Sequence, residues 1–256
     1  MIKGLYAAAS AMLAGLDRQN TLSHNLANVD TPGFKQLLTP LDDFDKTTVL
    51  SLPKNRADLA GLRLLGTLGL GVDAAPETTD FTQGALKSTG QPLDLAIEGD
   101  GFFRVQTPAG ERYTRDGRFT RDAAGGLVTV DGYAVLSSAG APITLPPAAL
   151  GGTVSVAADG TLAVDANEVA QLGLASFDDP AAQLTRDPLA GNAFAGTPGN
   201  GEVGRVQQGY LETANVNPAQ LMTQMLAVGR AYEAAQQLVQ IQDELLGRAI
   251  ATISRL

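Results

Sequence analysis

Apolar and small residues recur at helical spacing in the first segment of the chain. Alternating steps of three and four residues place them on one face, and the row continues past Asp17 and Arg18. Its large apolar members are Leu5, Met12, Leu16 and Leu26. The pattern predicts an amphipathic helix that is retained, because a signal peptide would be cleaved before this charged pair. The uninterrupted apolar stretch is too short to span a bilayer, so we expect no membrane insertion.

The last segment carries a longer row with clear start signals. Asn217 supplies an N-cap side chain, and Pro218 suits a first turn because it lacks an N–H group. The row then alternates steps of four and three residues over five heptads, which is typical of a left-handed coiled coil. Its large members include Leu221, Met225, Val228, Tyr232, Val239, Leu246 and Ile253.

A second set of apolar residues lies beside this C-terminal row. Its members are Met222, Leu226, Leu238, Ile241, Leu245 and Ile250. One partner helix cannot cover both sets, so we expect the terminal helices to pack as a coiled-coil domain with helices from other copies. A helical hairpin that packs only on the chain's own domain is the alternative.

Turn signals and short alternating runs fill the centre of the chain. Four Asp-Gly pairs, at residues 100, 116, 131 and 159, separate runs such as 127–130 and predict antiparallel hairpins. The fold class is therefore α+β, with long terminal helices and a central all-β domain. The expected domains are a helical terminal domain of residues 1–34 and 213–256, an extended connector of 35–78 that becomes ordered on assembly, and a β-domain of 79–212.

Charge and composition exclude several classes of protein. The 256 residues include 27 acidic and 18 basic side chains, and the net charge of −9 argues against nucleic-acid binding. The chain has no Cys and one His, so we expect no disulfide, no thiolate nucleophile, no metal site and no cofactor. Residues 1–27 and 218–256 are nearly neutral, and the acidic excess lies between them.

Candidate catalytic motifs lack the context that their chemistry needs. Residues 199–204 match G-x-G-x-x-G, but we expect neither a preceding strand nor a following helix to bind a dinucleotide. Asp94, Glu98 and Asp100 fall in one turn region without an aromatic sugar platform. His24 has no neighbouring ligand in the sequence. We predict that the chain is not an enzyme, and a secreted β-rich glycan-binding protein or hydrolase is kept as an alternative.

The residues that follow the first helix carry a family signature. The pattern comprises Asn25, Leu26, Ala27, Asn28, Thr31, Gly33, Phe34 and Lys35. It resembles the N-terminal signature of the bacterial flagellar basal-body rod and hook family. The resemblance continues through the stretches 81–86, 89–103, 113–119, 209–217 and 230–233. The stretch 209–217 is most similar to the distal-rod member, whereas Pro218 and the Met222/Met225 pair also resemble the proximal-rod member.

The resemblance implies a structural subunit of the basal-body rod. It implies export through the flagellar type III apparatus without cleavage, followed by helical polymerisation through the terminal helices into the periplasmic drive shaft. The implied partners are further copies of the chain, other rod subunits, the hook subunit, and the rod cap and ring proteins. A hook subunit or a hook-like adaptor is the alternative within the same family.

Overall fold

The computed structural model of this chain describes residues 2–51, 63–146, 153–187, 190–199 and 201–253. Helices lie at the two ends and strands between them, so the α+β class is confirmed. The chain divides into two compact units, which we call the helical unit and the β unit. The helical unit comprises Met1–Leu26, Leu37–Thr78 and Pro218–Leu256, and the β unit comprises Ala27–Gln36 and Thr79–Asn217.

The secondary-structure elements are numbered in chain order. They are α1 (Ile2–Ala27), β1 (Leu37–Leu38), β2 (Leu41–Ser51), β3 (Arg63–Ala74), β4 (Thr78–Thr79), β5 (Leu86–Ser88), β6 (Leu95–Glu98), β7 (Phe102–Thr107), β8 (Gly110–Thr114), β9 (Phe119–Arg121), β10 (Leu127–Thr129) and β11 (Ala134–Val135). They continue with β12 (Val154–Val156), β13 (Thr161–Val164), β14 (Asn167–Gln171), β15 (Leu174–Ala175), α2 (Pro180–Gln183), β16 (Leu184–Arg186), β17 (Ala193–Gly196), β18 (Arg205–Gln208), β19 (Tyr210–Glu212) and α3 (Pro218–Ile253).

Helices α1 and α3 form an antiparallel pair in the helical unit. Gly4 lies against the side chain of Gln242, and Gly15 lies against the ring of Tyr232. At about 1.5 Å per residue, the 26 residues of α1 span about 39 Å and the 36 residues of α3 about 54 Å. Because α1 begins only two residues before Gly4, α3 extends beyond it.

Strands β2 and β3 form a long ribbon within the same unit. They pair antiparallel from Leu41 opposite Ala74 to Ser51 opposite Arg63. The N–H of Val72 donates to Oγ of Ser10, which ties the ribbon to α1. The sequence pattern predicts only an extended connector in this region, because glycines in β3 interrupt the polar alternation that marks a strand. Residues 52–62 of that connector lie outside the described residues, and its ordering on assembly stays a prediction.

The β unit consists of antiparallel sheets. The largest has the order β16-β17-β8-β7-β11-β10-β9, with β15 also paired to β7. A second sheet has the order β12-β13-β14, and two further pairs are β18 with β6 and β19 with β5. This antiparallel arrangement agrees with the dense turn signals of the sequence.

Strand β7 contributes to a hydrophobic cluster on each face of its sheet. Phe103 packs in the larger cluster, whereas Phe102 packs in a smaller aromatic cluster. The ring centroid of Phe102 lies 5.5 Å from that of Phe177 and 6.2 Å from that of Phe194, in edge-to-face geometry. Successive side chains of a strand point to opposite faces, so β7 is buried on both sides.

Two of the four Asp-Gly pairs form the predicted hairpins. Gly132 and Gly160 have φ values of +85° and +84° and connect β10 to β11 and β12 to β13. The pair at residue 100 joins β6 and β7 of different sheets, and the pair at residue 116 joins β8 and β9, which share the largest sheet but do not pair with each other. That part of the prediction is therefore wrong. At Gly117 a Cβ would lie 1.6 Å from the carbonyl oxygen of Leu95, so close backbone approach explains that glycine.

The boundaries of the units differ from the predicted domain boundaries. Residues 27–36 lie in the β unit, whereas the predicted helical terminal domain includes residues up to 34. The ribbon strands belong to the helical unit. The pattern of apolar and turn residues shows where a helix ends, but it does not show in which core the following residues pack.

Candidate functional site

The signature turn begins where α1 ends. The N–H of Thr31 donates to the carbonyl of Asn28 at 3.1 Å, and Oγ1 of Thr31 donates to Oδ1 of Asn28 at 3.2 Å. Gly33 has φ of +68°, and a Cβ there would lie 2.3 Å from the backbone of Arg115. Glycine is therefore required at this position for two independent reasons.

Asn25 anchors the last turns of α1 within the helical unit. Its side chain is fully buried, its Nδ2 donates to the carbonyl of Leu37 at 2.7 Å, and its Oδ1 accepts from the N–H of Leu37 at 2.9 Å. The amide therefore pairs with both backbone groups of one residue. Asp could not reproduce this arrangement, because a carboxylate lacks the donor.

Lys35 is the centre of a buried charge cluster in the β unit. Its Nζ donates to Oε1 of Glu212 at 2.7 Å and to the carbonyls of Phe81 and Thr82 at 3.3 and 2.8 Å. Lys35 and Glu212 are each only 1% exposed. A neutral amine has two hydrogens, so three acceptors favour the charged ammonium.

Glu212 also binds Arg115 and a backbone amide. Its Oε2 accepts from Nη1 of Arg115 at 3.1 Å, and its Oε1 accepts from the N–H of Gly84 at 2.8 Å. Arg115 donates further to the carbonyls of Ile97 and Gly99, and its guanidinium lies 5.0 Å from the ring centroid of Phe102. One carboxylate thus holds two buried cations.

The opposite charges of the cluster stabilise one another. Burial lowers the pKa of Lys35 and of Arg115, and attraction to Glu212 opposes that effect at both residues. Hydrogen bonds offset the cost of burying these ions at every position but Nε of Arg115, which is buried without a hydrogen-bond partner. The cluster is therefore an arrangement that depends on all three residues.

Asn215 adds a neutral contact between the same chain segments. Its Oδ1 accepts from the N–H of Gln36 at 2.7 Å, and its Nδ2 donates to the carbonyls of Asp80 and Thr82 at 2.8 and 3.1 Å. The N–H of Gly33 donates to the carbonyl of Glu212 at 2.8 Å. The segment that follows α1 and the segment that precedes α3 are thus hydrogen-bonded to each other within the β unit.

Three family models match successive parts of the chain. Residues 5–35 match the model described as flagella basal body rod protein, and residues 96–164 match the flagellar hook protein FlgE/F/G D1 domain. Residues 207–252 match the C-terminal region of the flagellar basal body rod FlgEFG proteins.

Curated relatives match over nearly their whole length. The flagellar basal-body rod protein FlgG of Bacillus subtilis is 34% identical, over 96% of this chain and 97% of the relative. The FlgG protein of Borreliella burgdorferi is also 34% identical, over 97% and 98%. The chain belongs to the flagellar basal-body rod family. The FlgF protein of Rhizobium meliloti is 35% identical over 99% of this chain and 98% of the relative, so identity does not choose between rod members.

The charge cluster joins the three segments that match the rod-family models. Lys35 lies in the first, Arg115 in the second and Glu212 in the third. The sequence marks Lys35 as a signature residue, but its pattern indicates no role for Arg115 or Glu212. The only signal was their position inside stretches that resemble the rod family, since spacing alone cannot join residues 177 positions apart.

The predicted row on α3 is covered within the helical unit of this rod-family chain. Leu221 and Val228 are buried, and Met225, Tyr232 and Val239 are half-buried. Leu246 is 37% exposed, because it lies beyond the N-terminal end of α1. The side chain of Ile253 lies outside the described residues.

The predicted row on α1 is instead partly exposed to solvent. Leu5 and Leu16 are 39% and 42% exposed, whereas Met12 and Leu26 are half-buried. The buried positions of α1 are Ala8, Ala14, Thr21, Leu22 and Asn25. The small residues Ala8 and Gly15 on the covered face leave room for larger residues of α3 such as Tyr232.

The carboxylates weighed for catalysis make none of the described hydrogen bonds of the cluster, although Asp100 lies close enough to Arg115 to act on its pKa. Glu98 and Asp100 are exposed, and Oε2 of Glu98 accepts from Nε2 of Gln207 at 2.6 Å. The loop 199–204 leads into strand β18, and Asn200 within it lies outside the described residues. In the described ranges no group of three His, Asp or Glu residues could hold a metal ion. None of the helices among these residues has the length and apolarity to cross a membrane.

Proposed function

We propose that this chain is a structural subunit of the flagellar basal-body rod that polymerises helically through its terminal helices. The polymer is the periplasmic drive shaft that transmits torque from the motor to the hook. Its activity is assembly and stiffness, which require neither a catalytic residue nor a cofactor. The partners are further copies, other rod subunits, the hook subunit, and the rod cap and ring proteins.

The exposed apolar surface of the helical unit is the observation that carries this proposal. Met222, Leu226, Leu238, Ile241, Leu245 and Ile250 are all exposed on α3. Large contiguous apolar surfaces are rare on monomers and mark interaction sites. Burial contributes about 25 cal/mol per Å², so a few hundred Å² for each helix would supply several kcal/mol for each subunit. A coiled-coil arrangement among copies would provide that burial.

The charge cluster suits a subunit that carries mechanical load. It holds the segment after α1 and the segment before α3 against the same strands of the β unit, through Lys35, Glu212 and Arg115. Breaking such a buried pair leaves an uncompensated charge, so the joint resists partial opening. Force applied to either terminal segment is then shared by both.

The route to the rod follows from family membership. We propose export through the flagellar type III apparatus with the N-terminal helix uncleaved, and a position in the distal part of the rod. A hook subunit or hook-like adaptor is the second candidate, because the model that matches residues 96–164 also covers hook proteins. The components that co-purify with the chain in isolated basal bodies distinguish the two.

The test is a charge placed on α3 where α1 no longer covers it. We expect Leu246→Asp to abolish incorporation into basal bodies and motility, in a strain of the source bacterium that lacks its own copy. The unfolding transition of the β unit should be unchanged, because a lone charge is costly only where it is buried. Gln240→Asp, at an exposed position of the same helix, is the matched control and should assemble normally.

Normal assembly of Leu246→Asp would contradict the proposal. A control variant that fails to assemble equally would also contradict it, because any added charge on α3 would then have the same effect.

A further inference from the structure

Helix α3 has an apolar row that the helical unit does not cover. Each of its members lies one position before a member of the row that faces α1, and steps of four and three residues separate them. The members are Ala227, Ala231, Ala234, Leu238, Ile241 and Leu245, and all are exposed. The three large residues are 55%, 53% and 48% exposed. No charged residue falls in this row, which we call the α3 outer row.

Helix α1 has a corresponding row that is shifted in the other direction. Leu5, Ala9, Met12 and Leu16 form what we call the α1 outer row. The last three lie one position after Ala8, Ala11 and Gly15, which are on the covered face. Leu13 and Tyr6 extend this open surface and are 65% and 69% exposed. This row also contains no charged residue.

The two outer rows lie on opposite faces of the helix pair. In a right-handed helix viewed from its N-terminus, each next residue is rotated clockwise by about 100°. We call the residues of each helix that face the other helix its contact row. The outer row lies one position after the contact row on α1 and one position before it on α3. Because the two helices are antiparallel, both outer rows are rotated from their contact rows in the same direction when the pair is viewed along one axis. Since the contact rows face each other, the same turn directs the two outer rows to opposite sides.

Side-chain size distinguishes the two rows. The first half of the α3 outer row is Ala227, Ala231 and Ala234, which forms a shallow groove. The α1 outer row has Leu5, Met12 and Leu16, which form a ridge. Ridges pack into grooves, so the rows complement each other better than either complements itself.

We propose that the α1 outer row of one copy packs on the α3 outer row of the next copy. This inference rests on the proposed rod function and assigns its contact. A second copy is the occupant because it supplies a charge-free ridge of matching spacing, and because the contact extends the helix layer already formed by α1 and α3. Two different patches on opposite faces make a head-to-tail contact, which generates an open filament when it does not close a ring.

Disulfide trapping between differently tagged copies tests this contact. The chain has no Cys, so only introduced thiols can form a bridge. One copy carries Ala9→Cys and the other carries Ala227→Cys, Ala231→Cys or Ala234→Cys, which scan successive turns. Both copies are expressed in the source bacterium without its own copy, and isolated basal bodies are oxidised. We expect mixed dimers with at least one of the three positions, about tenfold above the level for Gln237→Cys, because a disulfide needs Cα atoms within about 7 Å.

The outcomes separate this inference from the proposed function. Variants that assemble without mixed dimers at any of the three positions would overturn the inference and leave the rod function intact. Dimers of Ala9→Cys with itself that exceed the mixed dimers would overturn it as well, because α1 would then face α1. If the parent chain is absent from basal bodies, the rod function itself fails.

Discussion

The helical unit and the β unit use their apolar residues differently. Residues such as Phe103, Leu162 and Val135 of the β unit are completely buried, and its two clusters are closed within one chain. On the helical unit, large residues such as Leu226 and Leu238 are more than half exposed. The β unit buries its large apolar residues within the chain, whereas the helical unit leaves several of its own exposed.

The charges of the two units follow the same division. The β unit contains 17 acidic and 9 basic residues, and the helical unit contains 10 acidic and 9 basic residues. A strongly acidic unit stays soluble and repels its copies, whereas a nearly neutral unit can be packed among copies without accumulating repulsion. This asymmetry suits the proposed assembly through the helical unit.

The largest expected effect is on the buried charge cluster of the β unit. Glu212→Gln removes the carboxylate that Lys35 and Arg115 share, so two buried cations lose their counter-ion. We expect the free energy of unfolding to fall by about 3–5 kcal/mol, measured by denaturant titration. Glu202→Gln at an exposed loop position is the control and should be neutral. Equal free energies of unfolding for the two variants would contradict the stabilising role of the cluster.

Matched truncations compare the two units directly. Phe103→Ala removes a ring that is fully buried in the β unit and should lower the free energy of unfolding by about 3–5 kcal/mol. Leu238→Ala removes an exposed side chain and should change it by no more than about 0.5 kcal/mol, while it reduces incorporation into basal bodies. If Leu238→Ala destabilised the monomer as much as Phe103→Ala, the helical unit would have a closed core of its own.

A smaller effect is expected at alkaline pH. Burial, with a hydrogen bond to Glu111, raises the pKa of Tyr113 from 10 to about 12. The stabilisation is therefore complete below pH 10 and is lost as the pH rises through about 12. Tyr113→Phe should flatten the fall in the urea midpoint between pH 10 and 12. Tyr210→Phe, at an exposed position, should keep the parent slope, and equal slopes in both variants would contradict the assignment.

The smallest effect concerns the turn between β13 and β14. Ala166 has φ of +66°, a conformation in which a side chain is strained. We expect Ala166→Gly to raise the free energy of unfolding by about 1 kcal/mol or less. Ala195→Gly within β17 should lower it by a similar amount, because glycine weakens a strand interior. Thermal unfolding of both variants checks the opposite signs.

Local structure was largely predictable from the sequence. The predicted start of the last helix at Pro218 is confirmed, and so is the end of the first helix before the Thr31-Pro32-Gly33 turn. The hairpins at Gly132 and Gly160 are also confirmed. Each of these depends on the preferences of a few adjacent residues, which spacing and residue type express directly.

Long-range pairing was not predictable in the same way. The ribbon β2–β3 was missed because its glycines weaken the alternation, and the Asp-Gly pairs at residues 100 and 116 connect strands that do not pair with each other. The charge cluster joins Lys35 to Glu212 across 177 positions. Such contacts depend on which distant segments share a core, and a periodic pattern holds no information about that choice.

The sequence by itself determined that both ends are amphipathic helices with more apolar surface than one partner can cover. Only the tertiary structure decided which surface is covered within the chain. On α3 the predicted row faces α1, but on α1 the covered face lies to one side of the predicted row, at Ala8 and Gly15. Periodicity shows that a row exists, whereas the fit between the two helices decides which row is covered: small residues of α1 such as Gly15 face large residues of α3 such as Tyr232. The larger side chains Leu5 and Leu16 of α1 are thereby left more than a third exposed.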